Sequence, residues 1–152
     1  APDLTLTMAG RGWEPFEAAA QRAQGVLGAR FVRPGLLPPE RAAELESEAD
    51  ILLSLGNAFD NQMPSKLFSY LGTGKPLLHL AVTDTDPTLP YLAKYPLALV
   101  LHKKNGVTPE VVDTLRRWLT DVQGQCLPYA QVAALYPEFK PGVVAQTFIG
   151  RI

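Results

Sequence analysis

Short apolar runs alternate with longer stretches in which apolar residues recur every three or four positions, and this alternation sets the expected elements. Leu4-Thr5-Leu6-Thr7-Met8 reads as a strand, closed by the turn Ala9-Gly10-Arg11-Gly12. Glu14 to Gln24, rich in alanine and glutamine, predicts a helix that tolerates Pro15 in its first turn. Ala29 to Val32 reads as a second short strand, followed by the turn Arg33-Pro34-Gly35. Pro38-Pro39 then opens a helix to about Ala49, with Glu40, Glu44, Glu46 and Glu48 on its wet side. Asp50 to Gly56 carries the clearest buried strand, the near-continuous apolar run that parallel sheets use.

Further along, Leu77 to Val82 and Leu97 to Leu101 read as strands, with a short helix over Leu89 to Tyr95 between them. Thr108 before Pro109 is a good helix start, and Val111, Val112, Leu115, Trp118 and Leu119 follow at helical spacing. Pro141-Gly142 precedes a last helical piece, Val143 to Ile152, against which the aromatics of LPYAQVAALYPEF are expected to pack. Strands and helices in this order predict an α/β fold with a mainly parallel sheet. Neither repeats, low-complexity tracts nor an internal linker interrupt residues 1–152, so a single domain is expected.

Composition narrows the function classes. At 152 residues, 47% hydrophobic and 19% charged, the chain has enough apolar material for a sizeable core. A formal charge of −1 gives no bulk attraction to nucleic acid or to an acidic membrane surface, so no nucleic-acid partner is expected. Cys126 stands alone, which excludes an intrachain disulfide or a multi-cysteine zinc site and fits a reduced, cytoplasmic setting. No apolar run approaches the roughly 20 residues that span a bilayer, and the start carries no signal-peptide pattern. The chain opens at Ala1 without methionine and reaches a strand-like run at once, as expected of a piece of a longer protein.

The densest polar chemistry lies between two apolar strands, in NAFDNQMPSKLFSYLGTGKPLL, residues 57–78. In open α/β sheets ligands bind beyond the carboxyl ends of the strands, where Asn57, Asp60, Asn61 and Gln62 fall. Pro64 suits the first helical position, and the N–H groups of Ser65, Lys66 and Leu67 would then face outward with the positive end of the helix dipole. Lys66 adds a full charge and Ser65 a hydroxyl, a combination that favours an anion. Gly74 is expected as a left-handed cap, Pro76 stops the helix, and Leu67, Tyr70 and Leu71 form the docking stripe. From spacing alone, the same residues serve equally well as a helix cap and a shaped loop, because any helix start offers similar groups.

The stretch resembles the signature of the nucleotide-sugar-binding half of bacterial GT-B glycosyltransferases of the group 1, family 4-like kind. Gly56, Asn57, Asn61, Gln62, Pro64, Ser65, Lys66, Phe68, Tyr70, Gly74, Lys75 and Pro76 carry the match. LTLTMAGRG and ARFVRPGLLPPERAAELESEADILLSLG extend it more weakly, to about Leu101 in all. The resemblance implies a Rossmann-like, three-layer α/β/α domain that binds a nucleoside diphosphate sugar, a UDP- or GDP-sugar, as donor substrate. It implies that the loop from Gly56 to Met63, with Asn57 and Gln62, faces the donor sugar, and that Ser65 and Lys66 hold the diphosphate. Gly10 and Gly12 would let the first loop approach the phosphates, and Arg33 would lie near the base. Relatives carry two glutamates spaced E-x7-E, and those positions are Asn61 and Ser69 in this chain. Asn61 takes the position that contacts the reacting sugar, the catalytic position of the set, and can still donate and accept hydrogen bonds. Ser69 takes the ribose-binding position with a shorter, uncharged side chain.

By the same resemblance, the parent enzyme moves a hexose onto a glycan or lipid-linked acceptor, with retention and without a metal, in the cytoplasm or peripherally at the inner membrane. An N-terminal acceptor domain is the implied partner, and without it the isolated chain is expected to be catalytically incomplete. The competing expectation is a noncatalytic binding or interaction module of the same fold that has lost donor recognition.

Other candidate residues have plainer expectations. His79 and His102 sit in or beside strands with no carboxylate close in sequence, as core or rim histidines do. Asp84 and Asp86 could suggest a metal, but capping of the helix opened by Pro87 suits them better. Cys126 lacks a basic neighbour and is expected to be inert. Trp13 and Trp118 are expected in the core, although Trp13 could equally wall a base pocket.

Overall fold

The computed structural model describes residues 4–12, 14–59, 61–139, 142 and 146. The chain divides into two compact units, residues 1–49 and 50–152. Both are α/β, with parallel strands alternating with helices in the Rossmann-like manner.

In the first unit, β1 (Leu6–Ala9) pairs in parallel with β2 (Phe31–Gly35), Leu6 opposite Phe31 and Thr7 opposite Val32. The register slips between Thr7 and Ala9, where the chain runs into Gly10 at φ 137°, a backbone conformation that glycine accepts without strain. The Gly10 N–H donates to Gly35 O at 2.8 Å, which carries the pairing past the strand ends. Arg33-Pro34-Gly35, expected as a turn, thus belongs to the strand. Helix α1 (Glu14–Leu27) links the two strands and continues three residues past the expected Gln24. Helix α2 (Pro39–Glu48) starts with Pro39 in its first turn, where the missing N–H costs nothing.

The second unit holds a three-stranded sheet in the order β3-β4-β5, from β3 (Leu52–Leu55), β4 (Leu77–Ala81) and β5 (Ala98–His102). Every pairing is parallel, and Ser54 lies directly opposite His79. Leu52, Leu77 and Ala81 are buried, as the apolar runs predict. The crossover from β3 to β4 contains α3 (Lys66–Gly72), whose Leu67 and Leu71 are buried one turn apart. Full burial of such side chains stabilises by about 1.5–3 kcal/mol each, enough to hold a two-turn helix that has no side-chain cap. Gly74, at φ 75°, closes it as expected.

After β4 come α4 (Leu89–Leu92) and, beyond β5, α5 (Pro109–Asp121). The Thr108 side chain caps α5 by accepting from the Val111 N–H at 3.4 Å. The expected face of α5 is half-buried, and the buried indole nitrogen of Trp118 has no partner among the described residues.

Helix α6 (Tyr129–Leu135) and a 3-10 turn at Pro137–Phe139 occupy the LPYAQVAALYPEF segment. Phe139 of this segment meets Phe68 of α3 edge-on with centroids 4.8 Å apart, and Phe68 in turn meets Tyr91 of α4 at 5.3 Å. Apart from Gln146, the expected helix at Val143 to Ile152 lies outside the described residues, as does Trp13. Among the described residues, no helix is long and apolar enough to cross a membrane.

Candidate functional site

Beyond the carboxyl end of β3 the chain opens a cavity of about 400 Å³. Its walls come from the end of that strand, from the polar loop and from the first turn and a half of α3. Asn57, Gln62, Ser65, Lys66 and Tyr70 line it together with the strand residues Leu53 to Leu55. The loop is folded on itself, because the Asn57 side-chain amide donates to Gln62 O at 2.9 Å. This bond brings two amide side chains to one wall from positions five residues apart. The Lys66 ammonium lies 5.7 Å from the centre of the Tyr70 ring, one turn along α3, which steadies a long side chain at the rim.

The helix start differs from the expectation. Pro64 stays outside the helix, α3 begins at Lys66, and the Leu67 N–H donates to Pro64 O at 3.1 Å. Leu67 therefore offers no outward N–H, and positive charge at this wall comes from the Lys66 side chain. A short helix of this kind has little dipole of its own to add.

Four of the expected donor-site residues thus share the cavity: Asn57, Gln62, Ser65 and Lys66. Gly56 stands directly behind them, and a Cβ there would collide with the Asp86 carboxylate. Asn61 is exposed and is not among the lining residues, and Asp60 lies outside the described residues. Ser69 is exposed, and its hydroxyl donates to Lys66 O at 2.8 Å, within the helix rather than into the cavity.

Gly10, Gly12 and Arg33 belong to the first unit. Arg33 Nη2 lies 2.7 Å from Glu17 Oε1, and its guanidinium is 5.4 Å from the Phe16 ring centre. The hydrogen bond from Arg33 holds the Glu17 carboxyl below its ordinary range and raises the guanidinium in turn. A side chain at Gly12 would collide with Glu17 and Phe16, so the close approach that this glycine allows is to its own helix.

His79 is a core histidine and His102 a rim one, as expected, and the fold brings a carboxylate to each. His79 is fully buried, with Nε2 3.0 Å from Asp86 Oδ2 and Nδ1 3.1 Å from Ser54 Oγ. His102 Nδ1 lies 3.4 Å from Asp84 Oδ1 at the surface, where Lys104 also reaches Asp84 at 2.6 Å. Asp86 does cap the segment leading into α4, accepting from the Thr88 N–H at 2.9 Å, whereas Asp84 does not. Burial works to raise the Asp86 carboxyl, but bonds from Thr88 and His79 outweigh it and hold the group below its ordinary range. Ser54, His79 and Asp86 are the residue types of a nucleophilic triad. With the imidazole wholly buried, however, no substrate can reach the base. The sequence signal for this cluster was confined to Asp-Pro-Thr, seven residues past His79, because the Ser54–His79 pairing appears only in the folded sheet.

A second, apolar cavity of about 340 Å³ lies between α3 and α6, lined by Phe68, Leu71, Tyr129, Val132, Tyr136 and Phe139. Cys126 is exposed, its thiol 3.6 Å from Thr73 O. No group of three metal-ligating side chains gathers among the described residues. Compared with protein-family models, curated proteins and solved structures, the chain matches none.

Proposed function

We propose that the cavity at the end of β3 binds a nucleoside diphosphate sugar and that the chain is the donor-binding part of a glycosyltransferase. One observation carries this proposal: Asn57, Gln62, Ser65 and Lys66, four residues of the glycosyltransferase-like motif, line a single cavity of about 400 Å³. Sugar transfer leaves negative charge on the departing diphosphate, and an ammonium and a hydroxyl beside it stabilise that charge as it develops. Lys66 and Ser65 supply those groups. The amides of Asn57 and Gln62 both donate and accept, as recognition of sugar hydroxyls requires. The reaction we assign to the parent enzyme is transfer of a hexose to a glycan or lipid-linked acceptor held by a separate acceptor domain, in the cytoplasm or at the inner face of a membrane.

A thermal-shift series with UDP, GDP, ADP and their sugars tests this. Ligand at about a hundred times its Kd stabilises the folded state by about 2.7 kcal/mol, a readily measured rise in melting temperature. We expect one nucleotide series to give that rise and Lys66→Ala to abolish most of it. A folded chain that responds to no member of the panel overturns the donor-site proposal.

A second function has its own support. The Ser69 hydroxyl is engaged with Lys66 O, and Asn61 does not line the cavity. Those are the two positions at which relatives grip ribose and sugar, so a noncatalytic module of the same fold is what the failed panel would leave.

A further inference from the structure

Behind the cavity wall, Ser54, His79, Asp86 and Thr88 form a polar cluster with 6%, 0%, 2% and 0% of their surface exposed. Buried polar groups satisfy their hydrogen bonds, so the partners determine where the protons lie. Asp86 Oδ1 accepts from the Thr88 N–H at 2.9 Å and from the Thr88 hydroxyl at 2.7 Å. The only hydroxyl proton of Thr88 is therefore committed. Its oxygen and Asp86 Oδ2 both face Nε2 of His79, at 3.2 and 3.0 Å, and neither has a proton to give. Nε2 must carry the hydrogen. In the neutral ring Nδ1 is then an acceptor, and the 3.1 Å contact with Ser54 is made by the serine's own proton. Ser54 also lines the cavity, and with its donor turned inward it has only lone pairs left to offer.

We propose that Ser54 is an acceptor-only position on the cavity wall, fixed in that role by the chain Asp86–His79–Ser54, and that it receives a neutral hydroxyl of the ligand. Resting on the donor-site proposal, this gives the cavity a polarity. The sugar end lies toward Ser54 and the anionic end toward Ser65 and Lys66. An anion is excluded at Ser54 because lone pairs would face negative charge. His79 and Asp86 do not touch ligand; they are positioning residues that act through Ser54. Asp86→Asn reverses the chain. The new amide oxygen keeps the Thr88 bonds, its NH₂ donates to Nε2, Nδ1 then carries the proton, and the Ser54 hydroxyl is released as a donor.

Nitrogen NMR of the imidazole rings at pH 8 tests the chain directly, since bare and protonated ring nitrogens have separate signatures. We expect His79 with Nε2 protonated and Nδ1 bare in the wild type, and the opposite in Asp86→Asn. A wild-type ring protonated on Nδ1 overturns the proposal. Amide shifts are then followed with glucose, UDP-glucose and pyrophosphate. Glucose and UDP-glucose should move Ser54, and pyrophosphate should move Ser65 and Lys66 but not Ser54. Ser54→Ala should weaken UDP-glucose at least tenfold and leave pyrophosphate unchanged, an arm that holds even if Asp86→Asn does not fold. Silence at Ser54 toward both sugars, with Lys66 responding to pyrophosphate, overturns the Ser54 assignment and leaves the donor site standing. A glucose response at Ser54 with no response to any nucleotide or to pyrophosphate does the reverse.

Discussion

The turn after β4 carries two carboxylates, and each meets a histidine in a different setting. Asp84 stands in water with 58% of its side chain exposed, held by Lys104 at 2.6 Å and by His102 at 3.4 Å. Asp86, two residues on, is sealed against His79 and Thr88 with neither carboxylate nor imidazole side chain exposed. The residue types are nearly the same, and water decides what they do. At the surface each group exchanges one polar partner for another, and salt screens what is left. In the interior no exchange is possible, so each bond must be made and each proton has one place to be. The surface cluster is an accessory, whereas the buried one specifies how β3, β4 and the turn fit together.

Four measurements press on that contrast. Asp86→Ala should have the largest effect, because it strips the partners of the His79 N–H and the Thr88 N–H at once. We expect a loss of roughly 3–5 kcal/mol by urea denaturation, the scale of a broken buried pair. A loss below about 1 kcal/mol would mean that the cluster is wetter than its burial implies. Gly56→Ala comes next. The added methyl would overlap the Asp86 carboxylate, and overpacking of this kind costs about 1–3 kcal/mol.

The third measurement is acid titration of stability. The folded Asp86 carboxyl lies below its ordinary range, so its contribution is present above the unfolded value, near pH 4, and fades as pH falls through the lower folded value. Asp86→Asn should make that acid limb shallower, and an unchanged slope would assign the limb to other carboxylates. Asp84→Ala should do least. The Lys104 hydrogen bond holds the Asp84 carboxyl low, yet the group is open to solvent. Its unfolding midpoint should match the wild type at both low and high salt, and a drop confined to low salt would show a surface contribution larger than expected.

Much of the fold is legible because local pattern and tertiary role agree. Leu52, Leu77 and Ala81 sit in apolar runs and are buried, and Thr108-Pro109 caps the helix it announces. Where they part, the cause is contact across distance. Nothing near Ser54 in sequence reveals His79, which reaches it only when β3 and β4 align in parallel register. Arg33 is taken up by Glu17 from the preceding helix, sixteen positions away. Helix α6 was hidden among prolines and aromatics, and the start of α3 slipped past Pro64 because Pro64 O is more useful as an acceptor for Leu67. Of the residues expected to bind a donor, the contiguous pair Ser65 and Lys66 lines the cavity, whereas Ser69 turns back onto its own helix and Asn61 is not among the lining residues.

Gly74 has a bearing on the order in which the chain assembles. A side chain at this position would collide with the Leu127 carbonyl, and the Leu127 N–H donates to Gly74 O at 2.8 Å. The adjacent Thr73–Cys126 contact spans 53 residues. Closing so long a loop gives up chain entropy before any contact returns it, and such contacts form late. The strand β5 and helix α5 lie inside that loop, so we expect the clasp to shut after they form. Helix α6 follows just past it with Val132 and Tyr136 buried, and we expect these to dock after the clasp closes. A methyl group at position 74 would thus be expected to speed departure from the native state, with α6 among the first of the described elements of the second unit to leave.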